Sequence, residues 1–195
     1  MGRKITVLQG SPKSDGNTAA LCQWVSKGAR DAGANVDIVE TARLKYKAYG
    51  CLSCMGCQRS DKYLCVVNDD AQPILAGLPD SDVIVLATPL YFFGPSAQLK
   101  LMVDRMYSLY KFDRKKGEYQ TPLKGKTLAL VASAGGEFTS GMNILEQMYQ
   151  AMARFSGMSF RSLLGPLAGL SGDIKGNRSW RDEAVVFGGR LETVV

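Results

Sequence analysis

Lys4-Ile5-Thr6-Val7-Leu8 runs into Gly10-Ser11-Pro12-Lys13-Ser14-Asp15-Gly16-Asn17, and a helical pattern sets in at Thr18. Residues 4–8 are an apolar run of the length of one buried strand. Residues 10–17 combine glycines, hydroxyls and a proline, which is turn chemistry. Residues 18–32 repeat apolar side chains at Leu21, Val25, Ala29 and Ala32, and Gly33 stops them. A strand, a hydroxyl-rich loop and an amphipathic helix, in that order, form the opening unit of a wound α/β sheet.

The alternation continues outward. Further strands are predicted at residues 36–39, 82–87, 127–131 and 160–164. In the second of these, Val83-Ile84-Val85-Leu86 is unbroken, as in a strand covered on both faces. Helices are predicted at 95–110, with Pro95 in the first turn, and at 142–155. A last helix starts near Ser179, with Asp182 completing a capping box. The glycine-rich residues 165–176 read as a loop. This order implies a doubly wound, five-stranded parallel sheet with helices on both faces. One domain spans residues 1–195, with a cysteine-bearing insertion at 43–72.

Composition narrows the function. The chain has 195 residues, 46% of them hydrophobic and 22% charged, enough for one full core. No apolar run approaches membrane-spanning length and no signal-peptide layout opens the chain, so a cytoplasmic protein with no membrane partner is expected. The net charge is +6, with Lys111, Arg114, Lys115, Lys116, Lys124 and Lys126 clustered. A solvated loop is the expected reading of that cluster, and a docking site for an acidic partner the alternative. No nucleic-acid motif accompanies it. Histidine is absent, which excludes Ser-His and Cys-His nucleophiles, histidine acid–base catalysis and mixed Cys/His zinc sites.

In wound sheets, ligands bind beyond the carboxyl ends of the strands. Three loops there carry distinctive chemistry. The first, Gly10 to Thr18, offers glycines, hydroxyls and a helix N-terminus to an anion. It lacks the Lys-Ser/Thr pair of a magnesium-nucleotide loop and is not G-x-G-x-x-G, so it suits a single phosphate monoester. The second, Thr88-Pro89-Leu90-Tyr91-Phe92-Phe93-Gly94-Pro95, places three aromatics where a flat ring system would bind. The third, Ser133-Ala134-Gly135-Gly136, leaves the backbone free to approach a ring edge.

Together these motifs resemble the NAD(P)H-dependent FMN reductase family within the flavodoxin-like fold, over nearly the whole chain. The resemblance implies that Ser11, Lys13, Ser14, Asn17 and Thr18 hold the flavin phosphate. It places Pro89, Leu90, Tyr91, Phe92, Phe93 and Gly94 along the ring, with Ser133, Gly135 and Gly136 on its other edge.

Cys51-x2-Cys54-x2-Cys57-x7-Cys65 stands in the insertion. Three cysteines at a tight repeat wrap one cuboidal cluster, and a fourth completes the set. Zinc ribbons separate their knuckles by longer spans, so the spacing favours iron and sulfide, with zinc, a thiol–disulfide switch and free thiols as the alternatives. The pattern resembles the iron-sulfur flavoproteins, a branch of the same family that carries a [4Fe-4S] cluster. The gap before Cys65 is long for that branch, and no Cys-Pro follows. Cys22 reads as buried and apolar. Met102, Met106, Met142, Met148 and Met152 read as core. Asp69-Asp70 reads as a solvated loop before a helix, and Arg105 as a surface ion pair or a subunit contact.

The resemblance implies an FMN-dependent oxidoreductase, with NAD(P)H as hydride donor or ferredoxin as partner, assembled as a homodimer or homotetramer. A cluster-free NAD(P)H:FMN or quinone reductase, a flavodoxin-like electron carrier and a zinc-stapled interaction domain are the alternatives. No residue receives a catalytic assignment. Without histidine, protons reach a flavin from water, backbone amides, Tyr91 or a carboxylate.

Overall fold

The computed structural model describes residues 2–193. The first strand, β1, is Lys4–Gln9, and helix α1 is Asn17–Asp31. Strand β2 follows at Asn35–Glu40, after Gly33 ends the helix at φ +104°, a backbone conformation that glycine adopts freely. A short helix, α2, covers Ala71–Gly77. Strand β3 is Val83–Tyr91, and a two-residue strand, β4 (Gly94–Pro95), folds back on it. Helix α3 is Ala97–Arg105, followed by one 3-10 turn, Met106–Leu109. Strands β5 (Lys111–Asp113) and β6 (Glu118–Gln120) make a separate hairpin. Strand β7 (Thr127–Ser133), helix α4 (Asn143–Ser156), strand β8 (Ser159–Gly165) and helix α5 (Arg178–Glu192) complete the order.

The main sheet runs β2-β1-β3-β7-β8, and every one of those pairs is parallel. Counting only these strands the order is 2-1-3-4-5, the flavodoxin-like order, which reverses between β1 and β3. Alternate residues of each strand feed two cores. Leu8, Ile84, Leu86, Leu128 and Leu130 pack with Leu75, Leu99, Met102 and Tyr149 on one face. Ile5, Val7, Val83, Val85 and Val131 pack with Leu21, Val25, Ala184 and Leu191 on the other. Hence β3 and β7 read as continuous apolar runs.

The structure corrects several expectations. Pro95 lies in β4, and the helix begins after Ser96, whose hydroxyl accepts from the Leu99 amide at 3.3 Å. The last helix is capped by Asn177, which accepts from the Ser179 and Trp180 amides, so Ser179 is inside it. An asparagine cap is as good as serine. The basic stretch is partly a hairpin, with Phe112 and Tyr119 paired across it at 5.0 Å. Met148 is exposed, while Met102, Met106 and Met142 are core. No described helix is long and apolar enough to cross a membrane.

Helices α1 and α5 meet through glycines. A Cβ on Gly188 would stand 2.0 Å from the Val25 carbonyl oxygen, and one on Gly28 1.9 Å from that of Val185. Both obstacles are backbone, so neither can swing aside. We expect Gly188→Ala to lower stability by about 1–3 kcal/mol through overpacking, despite the better helix propensity of alanine. A chemical-denaturation midpoint equal to that of the parent chain would refute this.

Candidate functional site

A pocket opens beyond the carboxyl ends of β1, β3 and β7. Its volume is about 260 Å³, and it is lined by Ser11, Lys13, Gly16, Asn17, Thr18, Pro89, Leu90, Tyr91, Ser133, Ala134, Gly135, Ala168, Gly169 and Ser171. All three loops singled out in the sequence therefore reach one cleft.

Local hydrogen bonds shape its floor. The Ser11 hydroxyl accepts from the Lys13 amide at 3.2 Å and donates to the Lys13 carbonyl at 3.1 Å, curling the loop. The cap of α1 is Gly16, which supplies no side chain, so first-turn amides are left to meet an anion. Gly10 is forced by close approach: a Cβ there would lie 2.5 Å from that of Leu99. Ser96 ties this loop to the next, its hydroxyl donating to the Gly10 carbonyl at 2.6 Å while its amide donates to Thr88 at 2.9 Å. Thr18 and Ser133 join their buried hydroxyls at 2.8 Å, linking the first loop to the third.

Asn17 has a different task from the one expected. Its amide nitrogen donates to the Ala168 and Leu170 carbonyls at 3.1 and 2.7 Å. Its oxygen accepts from the Gly172 and Ile174 amides at 2.9 and 3.3 Å. An asparagine side chain has two donors and two acceptor sites, and all are used. Asn17 is the latch that holds residues 168–174 against α1, and its side chain has nothing left for a phosphate. That segment is the wall the sequence reading missed. Its signal was position: a glycine-rich loop directly after the fifth strand.

The pocket does not include Ser14, Phe92, Phe93, Gly94 or Gly136. Phe92 is 96% exposed, and Phe92 and Phe93 have φ of +43° and +67°. Both sit in the sharp reversal from β3 into β4, outside the lining of the cleft. Phe93 instead lies over Gly141, where a Cβ would meet its ring at 2.9 Å.

A second, smaller pocket lies in the insertion. Cys51, Cys54, Cys57 and Cys65 all line it, together with Arg105, Tyr107 and Ser108. The chain around it is pinned through its carbonyls. Gln72 donates to that of Cys65 at 2.7 Å, Lys111 to those of Cys57 and Ser60, and Arg59 to that of Cys54 at 3.3 Å. Gln58 bridges to the hairpin, donating to the Tyr110 carbonyl at 2.7 Å.

Behind the pocket, Arg105 and Asp69 form a buried ion pair, both side chains 1% exposed, at 2.7 and 2.9 Å. Asp69 is therefore not in a solvated loop, and Arg105 pairs inside the fold where a surface ion pair or a subunit contact was expected. The chain turns inward at Asp69, whose carboxylate also accepts from the Lys47 amide at 3.0 Å. Burial by itself pushes the Asp69 carboxyl up, but the Arg105 and backbone hydrogen bonds outweigh it and hold the group below its usual value of 3.8. Burial likewise works against the Arg105 charge, and Asp69 and Cys65 restore it and raise its pKa further. Cys22 is buried as expected, and burial pushes its thiol up to about 12, leaving it unreactive at neutral pH.

A family model described as NADPH-dependent FMN reductase matches residues 3–163. The chain belongs to that family. It is 32% identical over 102 residues to an iron-sulfur flavoprotein of Methanocaldococcus jannaschii, covering 52% of this chain and 51% of that one. To an iron-sulfur flavoprotein of Archaeoglobus fulgidus it is 26% identical over 183 residues, covering 91% and 84%. The chain spans about half the length of the first of these curated relatives. Among solved structures it resembles an FMN-dependent NADH-azoreductase from Bacillus anthracis in complex with FMN. The TM-score is 0.74, with 13% identity and coverage of 98% and 100%. An NAD(P)H:quinone oxidoreductase from Methanothermobacter marburgensis gives a TM-score of 0.69, with 16% identity and coverage of 98% and 96%. At these identities the structures show the fold alone.

The cleft of this FMN reductase family member fits the cofactor in its family's description. One end carries a cation (Lys13), hydroxyls and an uncapped helix start, which is the chemistry of a phosphate site. The other carries Leu90, Tyr91 and Gly135, an apolar side chain, an aromatic and bare backbone, which suits a flat ring. The cysteine pocket was tested separately. No three of its thiols, nor any other His, Cys, Asp or Glu among the described residues, converge on a single ion. A tetrahedral zinc site would require its sulfurs about 3.8 Å apart, from a Zn–S bond near 2.3 Å. A cuboidal cluster binds each thiolate to a different iron and so holds them farther apart. Four cysteines among the lining residues of one pocket are the kind of donor set such a group takes.

Proposed function

We propose that this chain is an FMN-dependent oxidoreductase that passes electrons between NAD(P)H, or a small carrier such as ferredoxin, and an acceptor, through a [4Fe-4S] cluster. The observation that carries the flavin reading is the single cleft shared by the loops after β1, β3 and β7, at the reversal of strand order. In this reading Ser11, Lys13, Thr18 and the first-turn amides of α1 hold the phosphate. Pro89, Leu90, Tyr91 and Gly135 flank the ring. FMN supplies hydride acceptance and one-electron release, and the protein supplies binding and orientation. No carboxylate lines the cleft, so Tyr91, hydroxyls, backbone amides or water would pass protons to a bound ring.

Cys51, Cys54, Cys57 and Cys65 would hold the cluster, whose chemistry is to store and pass one electron. What supports this is their shared pocket and its lining donors. We further read residues 1–195 as one domain with its insertion, assembled as a homodimer or homotetramer. The exposed Phe92 and Phe93 support an interface beside the cleft.

Anaerobic purification with flavin, iron, sulfide and zinc analysis of one sample tests the proposal. About one FMN with about four irons and four sulfides per chain is the expected result. Flavin without iron or sulfide after reconstitution would reduce the reading to a simple flavin reductase. No flavin, even with FMN added, would end it.

A further inference from the structure

The wall of the cysteine pocket formed by α3 and the turn after it carries two buried hydrogen-bond donors without acceptors, one on Arg105 and one on Ser108. Arg105 and Ser108 both line the pocket. The Arg105 Nη2 lies 3.5 Å from Cys65 Sγ. Its Nε, and the hydroxyl of Ser108, are buried with no partner among the described residues. At another of the four cysteines, Gln58 Nε2 approaches Cys57 Sγ at 3.7 Å. A buried donor without a partner is costly, and native proteins leave few. Two on residues that line one pocket with four cysteines call for an acceptor there.

We propose that Arg105 and Ser108 are positioning residues that hydrogen-bond the sulfurs of a cluster held in this pocket and raise its reduction potential. This rests on the cluster reading above. A cluster with four thiolates is anionic, and reduction adds a further negative charge. Donors aimed at its sulfurs stabilise that charge more than they stabilise the oxidised form. The Asp69 carboxylate has its own part. It takes two of the guanidinium N–H groups and balances the charge, so Arg105 acts on the sulfurs as an oriented donor.

The test is potentiometric titration of the anaerobically reconstituted full chain, followed by the electron paramagnetic resonance signal of the reduced cluster. Ser108→Ala removes one oxygen and leaves the Arg105–Asp69 pair intact. Its equilibrium constant for reduction is expected to fall about tenfold, about 59 mV for one electron, with iron content unchanged. Arg105→Lys keeps the charge, loses the planar fork and shifts the potential in the same direction. Parent-like potentials in both variants at full iron content would overturn the inference. A parent chain that takes up neither iron nor sulfide would overturn the cluster reading itself, a distinct result.

Discussion

Asp69→Ala is expected to lower unfolding stability by about 3–5 kcal/mol, the cost of leaving one member of a buried ion pair without its partner. Arg105 would then sit 2% exposed with a full charge. The Lys47 amide and the Arg105 fork would lose their acceptor together. The loss should be largely recovered when Arg105 is also replaced by methionine, because removing both charges is close to neutral where removing one is not. Denaturant midpoints of the two single variants and the double variant check this. A loss under about 1 kcal/mol for Asp69→Ala would show that water reaches the pair, against its burial.

The same pair sets an acid limit. The folded Asp69 carboxyl binds its proton less readily than the unfolded one, whose value is near 3.8. The stability it contributes is therefore complete above that value and is lost as pH falls through the lower, folded one. The parent chain should carry a component of acid destabilisation below about pH 4 that the Asp69→Ala chain lacks.

Asn17→Ala is expected to cost about 2–3 kcal/mol, the upper part of the range for buried groups stripped of a partner. Two carbonyls and two amides lose their bonds in one substitution. Residues 168–174 can swing into water, which limits the loss. Hydrogen exchange should report this directly, with protection falling at the Gly172 and Ile174 amides and persisting in β3 and β7. FMN affinity should fall as well, since Ala168, Gly169 and Ser171 form one wall of the cleft. Unchanged exchange at Gly172 would show that the wall is held by other contacts.

Much of the fold was legible in single stretches of chain. The run Val83-Ile84-Val85-Leu86 announces a strand covered on both faces because each residue finds a core on its own side. The hydroxyl- and glycine-rich loops stand out because backbone that approaches a ligand closely cannot carry large side chains. The loops after β1 and β3 that line the cleft were readable for that reason. That Phe92 and Phe93 fall outside its lining was not, because composition reports that a loop is aromatic and says nothing of the left-handed φ angles of the reversal that carries them.

The sequence alone determined the alternation of strands and helices, the loops that meet at the cleft and the four-cysteine pattern. Each rests on local periodicity or spacing, which packing cannot alter without moving apolar residues into water. Tertiary structure decided that Asp69 meets Arg105 across 36 residues, that Asn17 latches a loop more than 150 residues away, and that Arg105 and Ser108 line the cysteine pocket. Those contacts depend on where whole elements come to rest, and a polar side chain looks the same in sequence whether it ends in water or against a buried partner.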